Sequence, residues 1–309
     1  MTDQLRFDGQ VAIVTGAGGG LGRAHAEALA ARGASVVVND IGIAKDGVGP
    51  DENRAQHVVD HIAAAGGTAS ANRDSVATRD GASSLVAQAL DTYGRLDIIV
   101  NNAGVTGQGA FSEQEVWDRV VATHLYGTVN VLRAAWPHFV ERDYGRVVNT
   151  ASSSFLGTPF SGDYASAKGG IIGLSKVLAT DNLERNITIN VLMPVAYTRM
   201  TAAVRDPIYA SWLEQHFPPE LVSAFVLTLC HESTPVSGET FIAGGGRAAR
   251  VFFQTSRGHF ESDPSPESFR DNWDAVMEGR DLRVATSGQG DLIRYAELLG
   301  DPGPFAGQI

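Results

Sequence analysis

The chain has 309 residues, a formal net charge of −11 at pH 7 and a single cysteine, Cys230. The length allows one doubly wound domain with an appendage, and the acidic balance disfavours nucleic acid or an anionic membrane as the main partner. One cysteine excludes an internal disulfide. The sequence also lacks a bilayer-length apolar run and a signal-peptide pattern, so we expect a cytoplasmic protein.

Apolar strand-like runs alternate with alanine-rich helical segments over the first 246 residues. This alternation predicts an α/β fold, a Rossmann-like doubly wound sheet of seven parallel strands with helices on both faces. We expect one domain over 1–246 and a C-terminal extension over 247–309. The strands are predicted near 11–15, 35–39, 68–72, 97–101, 146–151, 187–193 and 240–243.

A glycine-rich turn, TGAGGGLG at 15–22, follows the first predicted strand and precedes a helix. Such a turn lets the backbone approach a pyrophosphate at the helix N-terminus, although its spacing departs from the GxGxxG fingerprint and a purely structural role stays possible. The second strand ends at Asp40, where a carboxylate would meet the adenosine ribose hydroxyls. An acid there repels a 2′-phosphate, so we expect NAD rather than NADP. Residues 42–53 then predict a loop.

Tyr164 and Lys168 lie four residues apart on a predicted helix and therefore share one face. We expect the lysine ammonium to lower the pKa of the phenol toward neutrality, which would make Tyr164 a usable proton donor or acceptor. This pair predicts a site that moves a hydride and a proton.

Together with three further motifs, these residues resemble the short-chain dehydrogenase/reductase family over about residues 7–246. The motifs are Asp74-Ser75-Val76, Asn101-Asn102-Ala103-Gly104 and Asn190-Val191-Leu192-Met193-Pro194. The resemblance implies a dinucleotide-dependent oxidoreductase in which Tyr164 exchanges a proton with the substrate and Lys168 holds the nicotinamide ribose. The cofactor residues that it implies are Gly16, Gly20, Leu21, Gly22, Asp40, Asp74, Ser75, Val76, Asn102, Ala103, Gly104, Tyr164, Lys168, Pro194 and Thr198.

The resemblance also implies a catalytic serine, which we place at Ser152, three residues beyond Asn149. There it would donate a hydrogen bond to the substrate oxygen. The usual spacing to the tyrosine, one residue greater, would fall on Ala151, and Ser153 and Ser154 follow directly, so the register stays open.

His124 stands where the family usually has an asparagine that takes part in a proton relay. A catalytic His124 and a packed, hydrogen-bonded His124 are equal alternatives. His57 and His61 lie four apart on a predicted helix, but no third ligand accompanies them, so we expect no metal site.

Inside the family, several segments are similar to the (3R)-hydroxyacyl-CoA dehydrogenase unit of the peroxisomal D-bifunctional enzyme, also called 17β-hydroxysteroid dehydrogenase type 4. They include HLYG at 124–127, AAW at 134–136, RMT at 199–201, LCHES at 229–233 and NW at 272–273. This resemblance implies oxidation of a 3-hydroxyacyl thioester, or of a related secondary alcohol, with NAD. For a CoA thioester, the candidate phosphate-binding cluster is Arg247, Arg250 and Arg257.

Two alternatives stay open: a steroid, terpene or other secondary-alcohol dehydrogenase, and a non-catalytic dinucleotide-sensing protein, which would need neither Tyr164 nor Lys168.

Residues 195–219 follow the sixth strand and are the predicted substrate lid. The tail contains large aromatic rings that sixty residues cannot bury by themselves, so we expect a homodimer or homotetramer. These rings include Phe252, Phe253, Phe260, Phe269 and Trp273.

Overall fold

The computed structural model describes residues 4–42, 53–105, 111, 113–198, 206–284 and 291–305. The chain divides into two compact units, Met1–Arg250 and Val251–Ile309. In the described part of the chain, no helix combines the length and the apolar character that crossing a bilayer requires.

A single sheet of eight strands forms the centre of the first unit. The strands are β1 (Val11–Thr15), β2 (Ser35–Asn39), β3 (Thr68–Asn72), β4 (Ile98–Asn101), β5 (Gly145–Thr150), β6 (Ile187–Pro194), β7 (Thr240–Gly244) and β8 (Arg247–Val251). Their spatial order is β3-β2-β1-β4-β5-β6-β7-β8, and every pairing from β3 to β7 is parallel. The predicted parallel Rossmann-like sheet is therefore confirmed, and its seven strands agree with the prediction to one residue at each end.

The eighth strand was not predicted. β8 follows β7 through the two-residue turn Gly245-Gly246, whose φ angles are +56° and +77°. Only an antiparallel neighbour can be reached by so short a connection. The predicted boundary at Gly246 thus falls inside this hairpin, and the sheet has one edge strand in addition to the seven parallel strands that were predicted.

Helices cover both faces of the sheet. They are α1 (Gly20–Ala30), α2 (Arg54–Ala64), α3 (Arg79–Tyr93), α4 (Gln114–Val121), α5 (Gly127–Arg142), α6 (Gly162–Thr180), α7 (Pro207–His216) and α8 (Pro219–Cys230). A π-helical segment, Ala122–Tyr126, joins α4 to α5, and a 3₁₀ turn, Ser153–Leu156, follows β5.

Two buried apolar clusters show why the first four residues of β1 are all apolar. Ala12 and Val14 belong to the cluster packed by α1, α2 and α8, whereas Val11 and Ile13 belong to the cluster packed by α3 and α5. Successive side chains of a strand point to opposite faces, so a strand covered on both faces must be apolar throughout. The core therefore holds β1 in the middle of the sheet.

The second unit is small and is described by itself. Its elements are β9 (Gln254–Thr255), α9 (Pro266–Asp271), α10 (Trp273–Met277), β10 (Arg283–Val284) and α11 (Leu292–Leu299). β9 and β10 pair antiparallel. Arg294 in α11 is buried and forms an ion pair with Asp281 at 3.0 Å, and Thr255 Oγ1 donates to Asp291 Oδ1 at 2.7 Å.

Candidate active site

A cleft opens at the carboxyl ends of the strands, around the neighbouring strands β1 and β4. The chain leaves β1 toward β2 on one side, while β4 continues toward β5 on the other, and this reversal leaves a crevice in which ligands of such sheets bind. All the predicted cofactor residues line this cleft except Gly22 and Asp74. The cleft also has lining residues that were not predicted, namely Gly19, Asn39, Ile41, Val105, Thr123, Thr150 and Ala151.

The glycine-rich turn forms one wall of the cleft. Gly16 has φ +63°, and a Cβ there would lie 2.7 Å from the Ala103 Cα, so no larger residue fits. Gly22 lies behind the turn, where a Cβ would overlap the Gly16 carbonyl oxygen and lie 2.8 Å from the Ala17 Cα. The structure therefore gives Gly22 a packing role beneath the turn rather than a place in the cleft.

The start of α1 suits an anion. Gly19 is the N-cap residue and provides no side-chain hydrogen bond to the first turn of the helix. The first N–H groups of a helix have no partner within the helix, and the helix dipole favours negative charge at this end. A pyrophosphate fits such a position.

Asp40 follows the carboxyl end of β2 and is held by the backbone. Its Oδ2 accepts from the Gly18 N–H and its Oδ1 from the Gly42 N–H, each at 2.9 Å. Asp74 does not line the cleft; its carboxylate accepts from Asn72 Nδ2 at 2.9 Å, while the adjacent Ser75 does line the cleft. The cleft thus offers a fixed carboxylate at one end, as an adenosine ribose requires.

At the other end of the cleft, α6 places Tyr164 and Lys168 one turn apart. Lys168 is 3% exposed, and its Nζ donates to the Thr150 carbonyl oxygen at 2.5 Å. Burial lowers the pKa of Lys168 to about 7. The Nζ lies 5.5 Å from the centroid of the Tyr164 ring.

The expectation that Lys168 lowers the pKa of Tyr164 toward neutrality was wrong. Burial raises the pKa of Tyr164, and the hydrogen bond with Ser152 only partly opposes this. The lysine itself is desolvated, so its charged form is disfavoured and has little effect on the phenol. Burial is therefore the main cause of the pKa shifts of both Tyr164 and Lys168.

Ser152 is the serine that the structure brings to Tyr164. It lines the cleft, and its hydroxyl also donates to Ser154 Oγ at 3.1 Å. Ser153 and Ser154 begin the 3₁₀ turn, and Ser153 is exposed to solvent outside the cleft. Ser152 is the N-cap of that turn, so its position depends on where the turn begins.

His124 lies in the π-helical segment and packs edge-on against the Tyr164 ring, with the ring centroids 5.0 Å apart. Its Nε2 lies 3.1 Å from the Val105 nitrogen and 2.9 Å from the Val105 oxygen, and its Nδ1 is buried with no hydrogen-bond partner among the described residues. Burial and the nearby Lys168 lower the pKa of His124 to about 3, so the imidazole is neutral. Gly104 makes room for the ring, since a Cβ there would overlap it.

The three arginines proposed for a CoA phosphate are not assembled in one unit. Arg247 and Arg250 lie three residues apart on β8, so their side chains leave opposite faces of the strand. Arg250 binds the Glu239 carboxylate through Nε at 2.6 Å and Nη2 at 2.8 Å. Arg257 belongs to the second unit.

Within the described ranges, no group of three or more His, Cys, Asp or Glu residues could hold a metal ion. His61 lies on α2, and its Nδ1 is 2.8 Å from Glu27 Oε1.

Most of the predicted loop over 42–53 and residues 199–205 of the predicted lid lie outside the described residues. Of that lid, Thr198 lines the cleft, and the later part forms α7.

Comparison with known proteins agrees with this geometry. The short chain dehydrogenase family model matches residues 10–208. A short-chain type dehydrogenase/reductase of Mycobacterium tuberculosis is 42% identical over 280 residues, which cover 89% of this chain and 96% of that protein. The peroxisomal multifunctional enzyme type 2 of Mus musculus is 41% identical over 285 residues, 90% of this chain but only 38% of that longer protein.

Among solved structures, a 7α-hydroxysteroid dehydrogenase complexed with NADH and 7-oxo glycochenodeoxycholic acid superposes with a TM-score of 0.71. It is 30% identical, and the match covers 80% of this chain and 97% of that one. A doubly wound sheet with a dinucleotide cleft beside a tyrosine and a lysine defines an oxidoreductase that acts on CH–OH groups. The chain belongs to the short-chain dehydrogenase/reductase family.

Proposed function

We propose that this protein is an NAD-dependent dehydrogenase that interconverts a 3-hydroxyacyl thioester and its 3-keto form. The observation that carries the proposal is the meeting of Ser152, Tyr164 and Lys168 at one end of a cleft whose other end holds Asp40. The bound dinucleotide would supply the hydride acceptor. A non-catalytic sensing protein would need no such group of side chains.

Each side chain has a role in the proposed reaction. Ser152 donates a hydrogen bond to the substrate oxygen, and Tyr164 takes the hydroxyl proton as the alcohol is oxidised. Tyr164 accepts this proton as the tyrosinate and becomes the neutral phenol. Lys168 holds the nicotinamide ribose, and its ammonium would offset the negative charge of the tyrosinate before the proton arrives. Burial disfavours each charged form on its own, so a tyrosinate at this site would depend on an ammonium beside it for stabilisation.

His124 is proposed to support the proton path. Its Nε2 is held at Val105, so its Nδ1 is the ring nitrogen that remains for a water molecule. The alternative, a purely packed histidine, predicts that His124→Asn changes thermal stability without changing the pH profile of turnover. A relay role predicts that the pH profile changes as well.

The choice of NAD rests on Asp40. Its carboxylate is held by two backbone N–H groups beside the turn, and the negative charge would repel a 2′-phosphate. The superposed 7α-hydroxysteroid dehydrogenase was solved with NADH, which supports the same choice.

The choice of an acyl thioester rests on the segments that resemble a (3R)-hydroxyacyl-CoA dehydrogenase unit and on two exposed apolar side chains near the site residues in the sequence. Leu156 and Phe160 lie between Ser152 and Tyr164 in the chain and are 74% and 84% exposed. Exposed apolar side chains suit a fatty acyl chain, and they also suit a steroid, so a hydroxysteroid stays the second candidate, favoured by the 7α-hydroxysteroid dehydrogenase.

The test is a panel of alcohols with NAD, followed by the absorbance of NADH. We expect turnover of a (3R)-3-hydroxyacyl-CoA, and little with its (3S) enantiomer, a hydroxysteroid or a terpene alcohol. Turnover restricted to the steroid would replace the proposed substrate class. The absence of turnover with every alcohol, despite NADH binding, would favour a sensing role.

Assembly and location are proposed as well. The aromatic residues of the second unit support a homodimer or homotetramer, and light scattering before and after removal of residues 251–309 tests this. A monodisperse, fully active monomer after truncation would contradict it.

We propose a cytoplasmic location, and cell fractionation tests that against the peroxisome that the mouse relative's name indicates.

A further inference from the structure

Arg54 is a buried arginine that contacts the glycine-rich turn, although the two lie far apart in the sequence. It is the first residue of α2 and is only 7% exposed. Its Nη2 donates to the Gly18 carbonyl oxygen at 3.1 Å. The arginine therefore binds the glycine-rich turn that forms one wall of the cleft.

Gly18 is held from both sides. Its N–H donates to Asp40 Oδ2 at 2.9 Å, and its carbonyl accepts from Arg54. These two groups belong to the two peptide planes that flank Gly18. A glycine has more backbone freedom than any other residue, so two side chains that hold both planes remove much of that freedom before a ligand arrives.

Arg54 also occupies the space beside two consecutive glycines. A Cβ at Gly19 would lie 2.5 Å from Arg54 Nη2, and a Cβ at Gly18 would lie 2.8 Å from the Arg54 Cβ and 2.7 Å from Asp40 Oδ2. The glycine-rich turn, the Asp40 carboxylate and Arg54 are therefore closely packed at Gly18 and Gly19. A side chain at either glycine would have to displace Arg54 or Asp40.

We infer that Arg54 is a positioning residue for the adenosine end of the bound dinucleotide, an inference that rests on the proposed NAD dependence. Gly19 and Asp40 line the cleft, whereas Arg54 does not. Arg54 therefore acts indirectly, through the backbone of Gly18 and Gly19. It also acts together with Asp40, whose carboxylate binds the N–H of the same Gly18. Its role is to hold the turn in the shape that binds the cofactor, while the reacting end of the cleft stays independent of it.

The first test replaces Arg54 by methionine, which keeps the apolar stem, and by lysine, which keeps one donor. NADH and ADP-ribose affinities are measured by equilibrium fluorescence and calorimetry. We expect Arg54→Met to weaken both about tenfold to a hundredfold, as expected for a lost hydrogen bond from a charged group, and Arg54→Lys to recover part of the loss. The kcat at saturating NAD should stay within about twofold, since only binding is affected.

The matched control is Arg23→Met, which removes an arginine on α1 that pairs with Glu27 at 2.7 Å. This variant should bind NADH like the wild type. If Arg54→Met binds NADH with unchanged affinity, the inference is overturned. A wild-type protein that binds neither NADH nor ADP-ribose would instead refute the proposed function itself.

A second test leaves Arg54 in place and uses the contact at Gly19. Gly19→Ala should weaken NADH binding in the wild type, because the new Cβ displaces the guanidinium from the Gly18 carbonyl. In an Arg54→Ala background the space is open, and Gly19→Ala should have little further effect. An equal loss in both backgrounds would show that the methyl group acts on the cofactor directly and would overturn the inference.

Discussion

Lys168→Met should make the protein more resistant to unfolding at neutral pH while it abolishes catalysis. The folded protein holds Lys168 at a pKa of about 7, against an ordinary value of 10.5, because the side chain is fully buried. Between these two values the unfolded chain binds a proton that the folded chain does not. The folded state is therefore penalised as pH falls through this window, and the wild type gains stability as pH rises from 7 to 10.5.

The size of the effect follows from the two pKa values. Each pH unit well inside the window changes the free energy of unfolding by about 1.4 kcal/mol, so the wild type should gain about 2–3 kcal/mol between pH 7.5 and 9.5 relative to Lys168→Met. The lost hydrogen bond to Thr150 lowers the variant's stability at both pH values and cancels from this comparison.

The assay is urea denaturation of both proteins at pH 7.5 and 9.5, with NADH formation measured alongside. Lys176→Met, on the same helix, is the control and should change the pH dependence by less than about 0.5 kcal/mol. Parallel pH dependences for the wild type and Lys168→Met would show that Lys168 is not held neutral by burial, and the reasoning about the Tyr164–Lys168 pair would fail.

Two other predictions concern the serine register and the cofactor. Among Ser152→Ala, Ser153→Ala and Ser154→Ala, the first should lower kcat about a hundredfold or more, with small effects at the other two; a dominant loss at Ser153 would shift the register by one. Asp40→Ala combined with Ile41→Arg should move the ratio of kcat/KM for NADP over NAD upward at least about tenfold, because a cation replaces the carboxylate. A wild type that already prefers NADP would contradict the assignment of Asp40.

Sequence pattern alone predicted the sheet because each inner strand is apolar on both faces and is bounded by glycine or polar residues. β8 was not predicted because its sequence, RAARV, shows no apolar alternation. The strand is largely exposed at the edge of the sheet. The π-helical segment around His124 also escaped, since its residues do not differ in kind from those of the helices on either side.

The site could be predicted where its residues cluster in the sequence, and could not where the fold brings distant residues together. Tyr164 and Lys168 are one helical turn apart, so their shared face follows from periodicity. Arg54 reaches Gly18 only because α2 packs beside the turn, and no local pattern reports that contact. The pKa of Lys168 depends on burial, which the spacing of residues does not contain.

The most direct test of the proposed mechanism compares the wild type with Tyr164→Phe in a single turnover with NAD and a (3R)-3-hydroxyacyl-CoA. The phenylalanine ring can keep the edge-on contact with His124, so NADH binding should be nearly unchanged. Loss of the hydroxyl removes the proton acceptor, and the rate of NADH formation should fall about a hundredfold to ten-thousandfold. A Tyr164→Phe protein that forms NADH at the wild-type rate would contradict the assignment of Tyr164 as the group that takes the proton.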